Sequence, residues 1–295
     1  DRANEHMLYD AVRGVGKDLN PDSTSAEATN TNALAEFNAD GFALGTSGTV
    51  NWNTEEHVAW CWKAGNETTI NNDGTIQTTV SVNSDAGFSI VSYTGTGANG
   101  TAGHGLTSTP EFILYKALDD TYNWDVYHHN TGATPHQATL ILNTTGETRN
   151  VLHEAVTATT IPVTHTYTGG SASGKRMIAY CWYGVEGYSK FGSYEGNGNA
   201  DGPFVYLGFK PAFVMTKSVD GVENWAINDN KRSTINPVDK FLRPDEAVAE
   251  GSSAAKMDFL SNGFKLRTSD TKTNASHTFI YMAFAEMPFK YANAR

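Results

Sequence analysis

The strongest constraint on the fold is that the sequence repeats. A shift of 101 residues brings "SYTGTG" at 92–97 onto "SYEGNG" at 193–198, and "PEFILYKALD" at 110–119 onto "PAFVMTKSVD" at 211–220. The two phrases keep the same spacing in both copies. A chain that copies a long segment in this way is built from like structural units that pack on their neighbours.

A second phrase closes each unit. "GFALGTSGTVNWNTEEHVAWCW" at 41–62 matches "GFKLRTSDTKTNASHTFIYMAF" at 263–284 without a gap, and a looser copy lies at 161–182. The chain therefore contains three closing phrases but only two opening phrases. These phrases divide it into three parts: the second half of a unit at 1–65, a whole unit at 66–185 and a C-terminal whole unit at 186–295.

The first part starts partway through a unit. "YDAVRG" at 9–14 resembles "NDNKRS" at 228–233, which follows the second "NW" phrase. The sequence therefore begins just after the place of a missing "NW" strand. Either a portion upstream of Asp1 has been removed, or another part of the chain or another subunit completes the half unit. Because half a sandwich leaves open sheet edges and an uncovered apolar face, we expect a homo-oligomer.

Short apolar runs predict an all-β fold. "FSIVSY", "EFILYK", "ATLILN" and "MIAYCW" are separated by Gly, Asn, Asp or Pro. Charged residues make up only 18% of the chain, which suits strands and turns better than long surface helices. We predict tandem antiparallel β-sandwich modules, jelly-roll-like, with short loop helices at 23–36 and around 244–258.

Several phrases carry a family resemblance. They are "EGYSKFGSYEGNGNADGPFVYLGFKPAFVMTKS", "NPVDKFLRP", "DFLSNGFKLRTSD" and "PFKYANAR". These phrases resemble the C-terminal part of tandem-repeat virion proteins of tailed bacteriophages, especially marine ones. The stretch from Tyr9 to Gly48 resembles the internal repeats of the same proteins. The resemblance covers nearly the whole chain and implies a tail-fibre-like or structural virion protein, but it assigns no catalytic residue.

Charge and hydropathy argue against two classes of partner. The formal net charge is −11 and no run of Lys or Arg occurs, which is the wrong sign for a nucleic-acid binder. No apolar stretch is long enough to span a bilayer, and the opening residues lack the apolar region of a signal peptide. We expect neither nucleic-acid binding nor membrane insertion.

The glycine-spaced phrases around 95–97 and 196–198 predict turns. A dinucleotide site needs G-x-G-x-x-G between a strand and a helix, and neither phrase continues in that way. Glycine supplies the left-handed backbone that tight turns require. We therefore expect no cofactor at either phrase.

The two cysteines fall at equivalent places in their units. Cys61 and Cys181 both lie in a closing phrase, and Ala283 takes the same place in the third. A nucleophile is not expected at a place that a small apolar residue also fills. We predict buried free thiols and no disulfide between them.

The tryptophans separate into repeated and unrepeated ones. Trp124 and Trp225 recur in the "NW" phrase, and Trp62 and Trp182 recur in the closing phrase. A sugar-stacking platform is the functional interpretation, and we favour anchors in the core. Trp52 and Tyr122 lie in polar segments and are not shared between units. They are the better candidates for a ligand platform, although an incidental surface aromatic is the simpler interpretation.

Histidines and acidic turns do not form a metal motif. Five of the histidines of the middle unit are candidate metal ligands: His128, His129, His136, His153 and His165. No H-E-x-x-H and no cysteine pair accompanies them. "NNDG" at 71–74 and "DGVEN" at 220–224 lack the spacing of a calcium loop and predict turns. We expect no bound metal.

Two charged positions repeat in register. Lys116 and Lys217 recur, as do Asp119 and Asp220, and this recurrence indicates strand-end charges or turn caps. No matched carboxylate pair or triad can be singled out, so we expect no enzyme.

Three functions are compatible with these observations. The first is a non-enzymatic virion component that contacts the host surface through repeated loops. The second is a secreted or cell-surface adhesin with lectin-like modules that bind carbohydrate. The third, a depolymerase, would need the catalytic carboxylates that the sequence does not single out. We favour the first, with a location in the virion or outside the cell and with other virion proteins as partners.

Overall fold

The N-terminal part forms two small ribbons. The computed structural model describes residues 3–131, 138–164 and 172–286. Each ribbon is a pair of short antiparallel strands. The strands are β1 (Lys17–Asp18) with β2 (Ala28–Thr29), and β3 (Leu34–Asn38) with β4 (Gly41–Leu44).

The middle part forms ten strands in two layers. They are β5 (Thr69–Asn71), β6 (Thr78–Asn83), β7 (Phe88–Thr94), β8 (Gly100–Gly103), β9 (Phe112–Ala117), β10 (Asp125–His128), β11 (Ala138–Ile141), β12 (Arg149–Asn150), β13 (Thr160–Val163) and β14 (Arg176–Trp182). Eight of them make the first large sheet, in the order β12-β11-β10-β9-β14-β7-β6-β5. The other two, β8 and β13, pair as a second layer over it.

The C-terminal part forms the second large sheet. Its strands are β15 (Ser189–Glu195), β16 (Phe204–Tyr206), β17 (Pro211–Ser218), β18 (Ala226–Asp229), β19 (Val238–Leu242), β20 (Gly251–Leu260), β21 (Gly263–Leu266) and β22 (Thr278–Ala285). Their order is β15-β22-β17-β18-β19-β20-β21-β16. Tyr194 on one edge strand and Val205 on the other belong to one apolar cluster, so the sheet curls until it is nearly closed.

The opening and closing phrases of each whole unit meet in one sheet. β14 lies between β7 and β9, with Tyr180 opposite Leu114. β22 lies between β15 and β17 in the same manner, with Met282 opposite Met215. Both faces of these two central strands are buried, which explains their nearly continuous apolar sequences.

Three large apolar cores hold the layers together. One lies between the first large sheet and the pair β8–β13, and one lies within the curl of the second large sheet. The largest core lies between the two sheets and combines residues of both with Leu19 from the N-terminal part. Trp60 and Trp62 pack against this shared core as well. The N-terminal half unit therefore forms the third side of a core that it shares with the two large sheets.

Equivalent hydrogen bonds join the units in a ring. The indole Nε1 of Trp124 donates to the carbonyl of Asn20 at 2.9 Å, and that of Trp225 donates to the carbonyl of Ile141 at 3.0 Å. His6 takes the same place in the half unit, and its Nε2 lies 2.8 Å from the carbonyl of Arg243. Each unit thus bonds to the one before it, and the first bonds to the third. We call each of these contacts between units a joint: the first contains Trp124, the second contains Trp225 and the third contains His6.

Two further contacts strengthen each of the first two joints. The Nζ of Lys116 donates to the carbonyl of Thr24 at 2.9 Å, and the Nζ of Lys217 donates to that of Thr145 at 3.2 Å. Backbone bonds run alongside, from Glu27 N to the carbonyl of Leu118 at 2.8 Å and from Thr148 N to the carbonyl of Val219 at 3.1 Å. The repeated lysines therefore connect neighbouring units. The sequence predicted strand-end charges or turn caps. Both side chains are fully buried, so they are not surface charges, but each also donates to carbonyls of the turn that follows its strand, as a turn cap does.

The two predicted loop helices are also wrong. Residues 23–36 contain β2 and the start of β3, and residues 244–258 contain most of β20. In β20, Ala255, Met257 and Phe259 alternate with less buried residues, which is the period of a strand. Pairing with β19 and β21 outweighs the helix propensity of a few Ala and Glu residues. The helix that the described chain does contain, α1 (Thr271–Asn274), lies outside both stretches.

The predicted all-β class is confirmed. The layers are antiparallel, as expected for sandwich-type modules, but they share a core, so the boundaries at 65/66 and 185/186 stay a prediction. Among the described residues, no helix has the length and apolarity that crossing a bilayer demands.

We expect the joints to contribute to the stability of the whole molecule. Replacing Trp225 by Phe removes the donor to the partly buried carbonyl of Ile141 and part of a ring that is only 1% exposed. We expect the free energy of unfolding to fall by about 2 kcal/mol or more, measured by urea denaturation. Val222→Ala, at a side chain that is 66% exposed, is the control and should change the value by less than about 0.5 kcal/mol. Equal effects for the two variants would contradict the role of the joint.

Candidate interaction face on the N-terminal half unit

The ribbon of β3 and β4 presents apolar side chains to solvent. Phe37, Phe42 and Leu44 are 41%, 38% and 39% exposed. The gapless match of the closing phrases places them at the positions of Phe259, Phe264 and Leu266, which are at most 4% exposed. The same residue types are therefore core in the third unit and surface in the first.

The opening strands account for this difference. In the third unit Val205 of β16 pairs opposite Phe264, and the ring of Tyr194 lies 5.9 Å from that of Phe264. Both residues belong to the opening half of the unit. The half unit at the N-terminus has no such strands, so Phe42 lacks the cover that Phe264 has.

An extended segment lies beside this ribbon. Trp60 and Trp62 point into the shared core, whereas the alternate residues Ala59 and Cys61 are exposed. Residues 56–62 make no backbone–backbone hydrogen bond within the described part of the chain. The equivalent strands β14 and β22 are paired on both sides. The segment thus holds the position of a central strand, and no strand pairs with it within the described ranges.

Trp52, a predicted ligand platform, lies on the same half unit. Its side chain is 47% exposed and its ring packs against the backbone of Gly48. It takes the place of Asn274, which is buried and holds the turn after β15. There Asn274 accepts a bond from Asn197 N at 2.9 Å and donates to the carbonyl of Asn199 at 2.7 Å. Trp52 therefore stands where such a turn would lie.

Tyr122, the other predicted platform, lies on a different element. Its side chain is 39% exposed, in the loop between β9 and β10, and its carbonyl accepts a bond of 2.6 Å from the Nζ of Lys116. That bond gives the backbone of Tyr122 a structural role. Ligand binding by either aromatic stays a prediction.

The prediction of two buried thiols is half correct. Cys181 is fully buried, whereas Cys61 is exposed. The neighbours of the Cys61 thiol still shield part of it from water and raise its pKa. Full burial raises the pKa of Cys181 far more strongly. The positions are equivalent in sequence, but the strands that cover Cys181 have no counterpart beside Cys61.

The repeated tryptophans are core residues, as predicted. Trp124, Trp182 and Trp225 are buried, and Trp62 packs edge-on against its neighbours in the shared core. Asp119 and Asp220 are confirmed as caps of equivalent strands. Asp119 accepts a bond from Arg176 N at 2.7 Å, and Asp220 accepts one from Thr278 N at 3.1 Å.

The paired histidines connect two units. The Nε2 of His128 lies 3.2 Å from the carbonyl of Tyr281, and that of His129 lies 3.2 Å from the carbonyl of Phe191. Burial lowers the pKa of His128 to about 3, so its ring is neutral at physiological pH. A neutral ring donates through Nε2 and accepts the N–H of Asn130 through Nδ1.

Other candidate ligands are dispersed or engaged. His153 lies 3.4 Å from the hydroxyl of Thr164. In the predicted turn at 71–74, Asp73 N donates to the side chain of Asn71 at 3.0 Å. His136 and His165 lie outside the described residues. Within the described ranges, no group of three or more His, Cys, Asp or Glu side chains could hold a metal.

The structure defines the class of fold, and one comparison with known proteins defines the family. The fold is an all-β protein of repeated units around a shared core, with an uncovered apolar face on one of them. The chain matches the family model described as a domain of unknown function, DUF7483, over residues 1–288. The protein therefore belongs to the DUF7483 family. No curated protein and no solved structure matches the chain.

The repeat itself identifies the residues of this face. The closing phrases aligned Phe42 with Phe264 and Leu44 with Leu266, and the opening phrase was already missing. Together, these two observations predict apolar residues without cover. The sequence analysis predicted an uncovered apolar face on the half unit, and this alignment identifies its residues.

The two thiols provide a test of this geometry. We expect a maleimide to label Cys61 rapidly in the native protein and Cys181 only after unfolding, because one is exposed and the other is buried. Mass spectrometry of the labelled peptides measures the two rates separately. Cys61→Ser is the control and should leave no fast site. Equal labelling of both thiols in the native state would contradict the structure.

The buried lysines provide a test by pH. Burial lowers the pKa of Lys116 to about 8, whereas in the unfolded chain a lysine titrates near 10.4. Between these two pH values the unfolded chain binds more protons than the folded one, so the free energy of unfolding increases as the pH rises. We expect the stability of the wild type relative to Lys116→Met to increase from pH 8 to 10, by up to about 1 kcal/mol per pH unit. Urea denaturation across this range measures it, and a constant difference would contradict the shift.

Proposed function

We propose that the protein is a non-enzymatic structural protein of a phage virion, a tail-fibre-like appendage or surface component that contacts the host. The observation that carries the proposal is the repeated joint between units. Its indole, imidazole and ammonium groups all bind carbonyls of a neighbouring unit. Residues used in this way support a role in assembly.

Buried nucleophiles and bases also favour a structural role. The Nζ of Lys217 makes bonds to three carbonyls, of Thr145, Ser218 and Gly221. His128 is neutral and buried, and Cys181 is protonated within a core. None of these groups is open to a substrate. The resemblance of the opening and closing phrases to phage tail-fibre-like repeats supports the same class.

Host contact would come through repetition. Loops at the ends of sandwich-type units are free to vary, since the sheets carry the stability. Several weak contacts on one particle give a high avidity without any strong single site. A homo-oligomer together with other virion proteins supplies that multiplicity, in an extracellular particle.

A lectin-like adhesin is the second candidate, and one surface favours it. Tyr206 on the edge strand β16 is 60% exposed, and the Nζ of Lys190 lies 5.3 Å from the centre of its ring. Phe204 on the same strand is 45% exposed. An exposed aromatic row beside a cation is a common platform for sugar rings.

Analysis of purified particles tests the proposal. We expect mass spectrometry of virions from the phage or prophage that encodes this chain to detect the polypeptide at a fixed number of copies per particle. Particle-free culture medium is the control. Absence from the virions, together with glycan-array binding that Tyr206→Ala abolishes, would overturn the virion role and establish the adhesin.

A further inference from the structure

The uncovered face of the half unit has a counterpart that shows what covers it. In the third unit, β15, β16 and β17 lie over the positions that correspond to residues 34–62. They bury Phe264, whose equivalent in the half unit is Phe42. We define the docking face as Phe37, Phe42, Leu44, Trp52 and the segment 56–62. The protein itself thus provides the template of the occupant.

The backbone requires strands and not merely an apolar surface. Residues 56–62 lie where β14 and β22 have a partner on each side, so two strands fit there by edge pairing. A third fits β4, as β16 fits β21. An unpaired central strand exposes a row of N–H and C=O groups that favours such pairing.

The third joint of the ring is incomplete in the same place. In the first two joints, carbonyls of Thr24 and Thr145 receive a lysine, and the N–H groups of Glu27 and Thr148 bind a carbonyl. The equivalent groups at the third joint are the carbonyl of Ala247 and the N–H of Glu250. Neither makes that bond within the described chain. In both complete joints these partners come from the strand before the "NW" position or from the residue next to it.

A second copy of the chain could supply such strands only by giving up strand pairs or core contacts of its own. β7, β9 and β17 are each paired on both sides within their own sheets. β15 is an edge strand, but its Tyr194 is part of a closed core. The occupant is therefore a further opening half unit that no sheet already contains.

Chain geometry indicates how this half unit is attached. β9 ends at Ala117, seven residues before Trp124, and β17 ends at Ser218, seven residues before Trp225. His6 occupies the place of these tryptophans. A strand that leads into His6 through a loop of the same length falls beside residues 56–62.

We propose that this face is the docking surface for a further opening half unit, joined ahead of His6 and bearing a lysine that reaches the carbonyl of Ala247. The occupant is a polypeptide with the pattern of β15 to β17, alternating in apolar residues and containing a G-x-G turn over Trp52. The inference stands apart from the proposed function, since it concerns completion of the fold.

A graft tests the proposal on the full chain. A copy of residues 186–219 is fused directly ahead of Asp1, because Asp1 precedes His6 by the same five residues that separate Asp220 from Trp225. We expect the maleimide labelling rate of Cys61 to fall by about 10-fold or more, since the graft covers it. A second graft of residues 85–118 should act likewise, and Cys181 must stay protected as proof of folding.

The matched control is the first graft with Val214→Pro and Thr216→Pro in the grafted copy alone. Proline removes the donors needed for pairing, so Cys61 should label as in the ungrafted chain. If both intact grafts leave Cys61 as reactive as before while Cys181 stays protected, the proposal is overturned. It is also overturned if the ungrafted chain forms a dimer by light scattering in which Cys61 is protected, since a second copy is then the occupant.

Discussion

The shared apolar core is the interaction on which the rest of the structure depends. At its centre the ring of Trp62 lies 6.1 Å from that of Trp182 and 5.5 Å from that of Phe284, and these residues occupy equivalent places in three units. Each large sheet buries one face in its own core and the other in this common one. Since no sheet can desolvate both faces alone, the units fold as one body.

Polar groups within the joints determine which units meet. A buried polar group costs free energy unless it is hydrogen-bonded, and for the groups of the joints the partner is a carbonyl of the neighbouring unit. The apolar contacts supply most of the stability, and they tolerate a sliding of the layers. The directional bonds of Trp124, Trp225 and His6 do not, so they fix the register of one unit on the next.

The sequence was sufficient to predict the features that recur in every unit, namely the division into like units and their strands. Equal spacing of "P-F…K…NW" established like units, and alternation within the runs established strands. Burial was harder to predict, because it depends on neighbours: Cys61 and Cys181 are equivalent in sequence and opposite in exposure. Ring closure could not be predicted, since histidine at position 6 does not resemble tryptophan. The helix predictions failed because local propensity is weak beside strand pairing in β20.

The contact between His6 and Arg243 also determines the order of events during synthesis. Its two residues are 237 positions apart, so the ring cannot close until all the residues between them have left the ribosome. At about 5–20 residues per second, the N-terminal half unit waits on the order of ten seconds or more with its apolar side toward water. Such a long-range contact also slows the search for the native state. The third unit is the one that closes the ring.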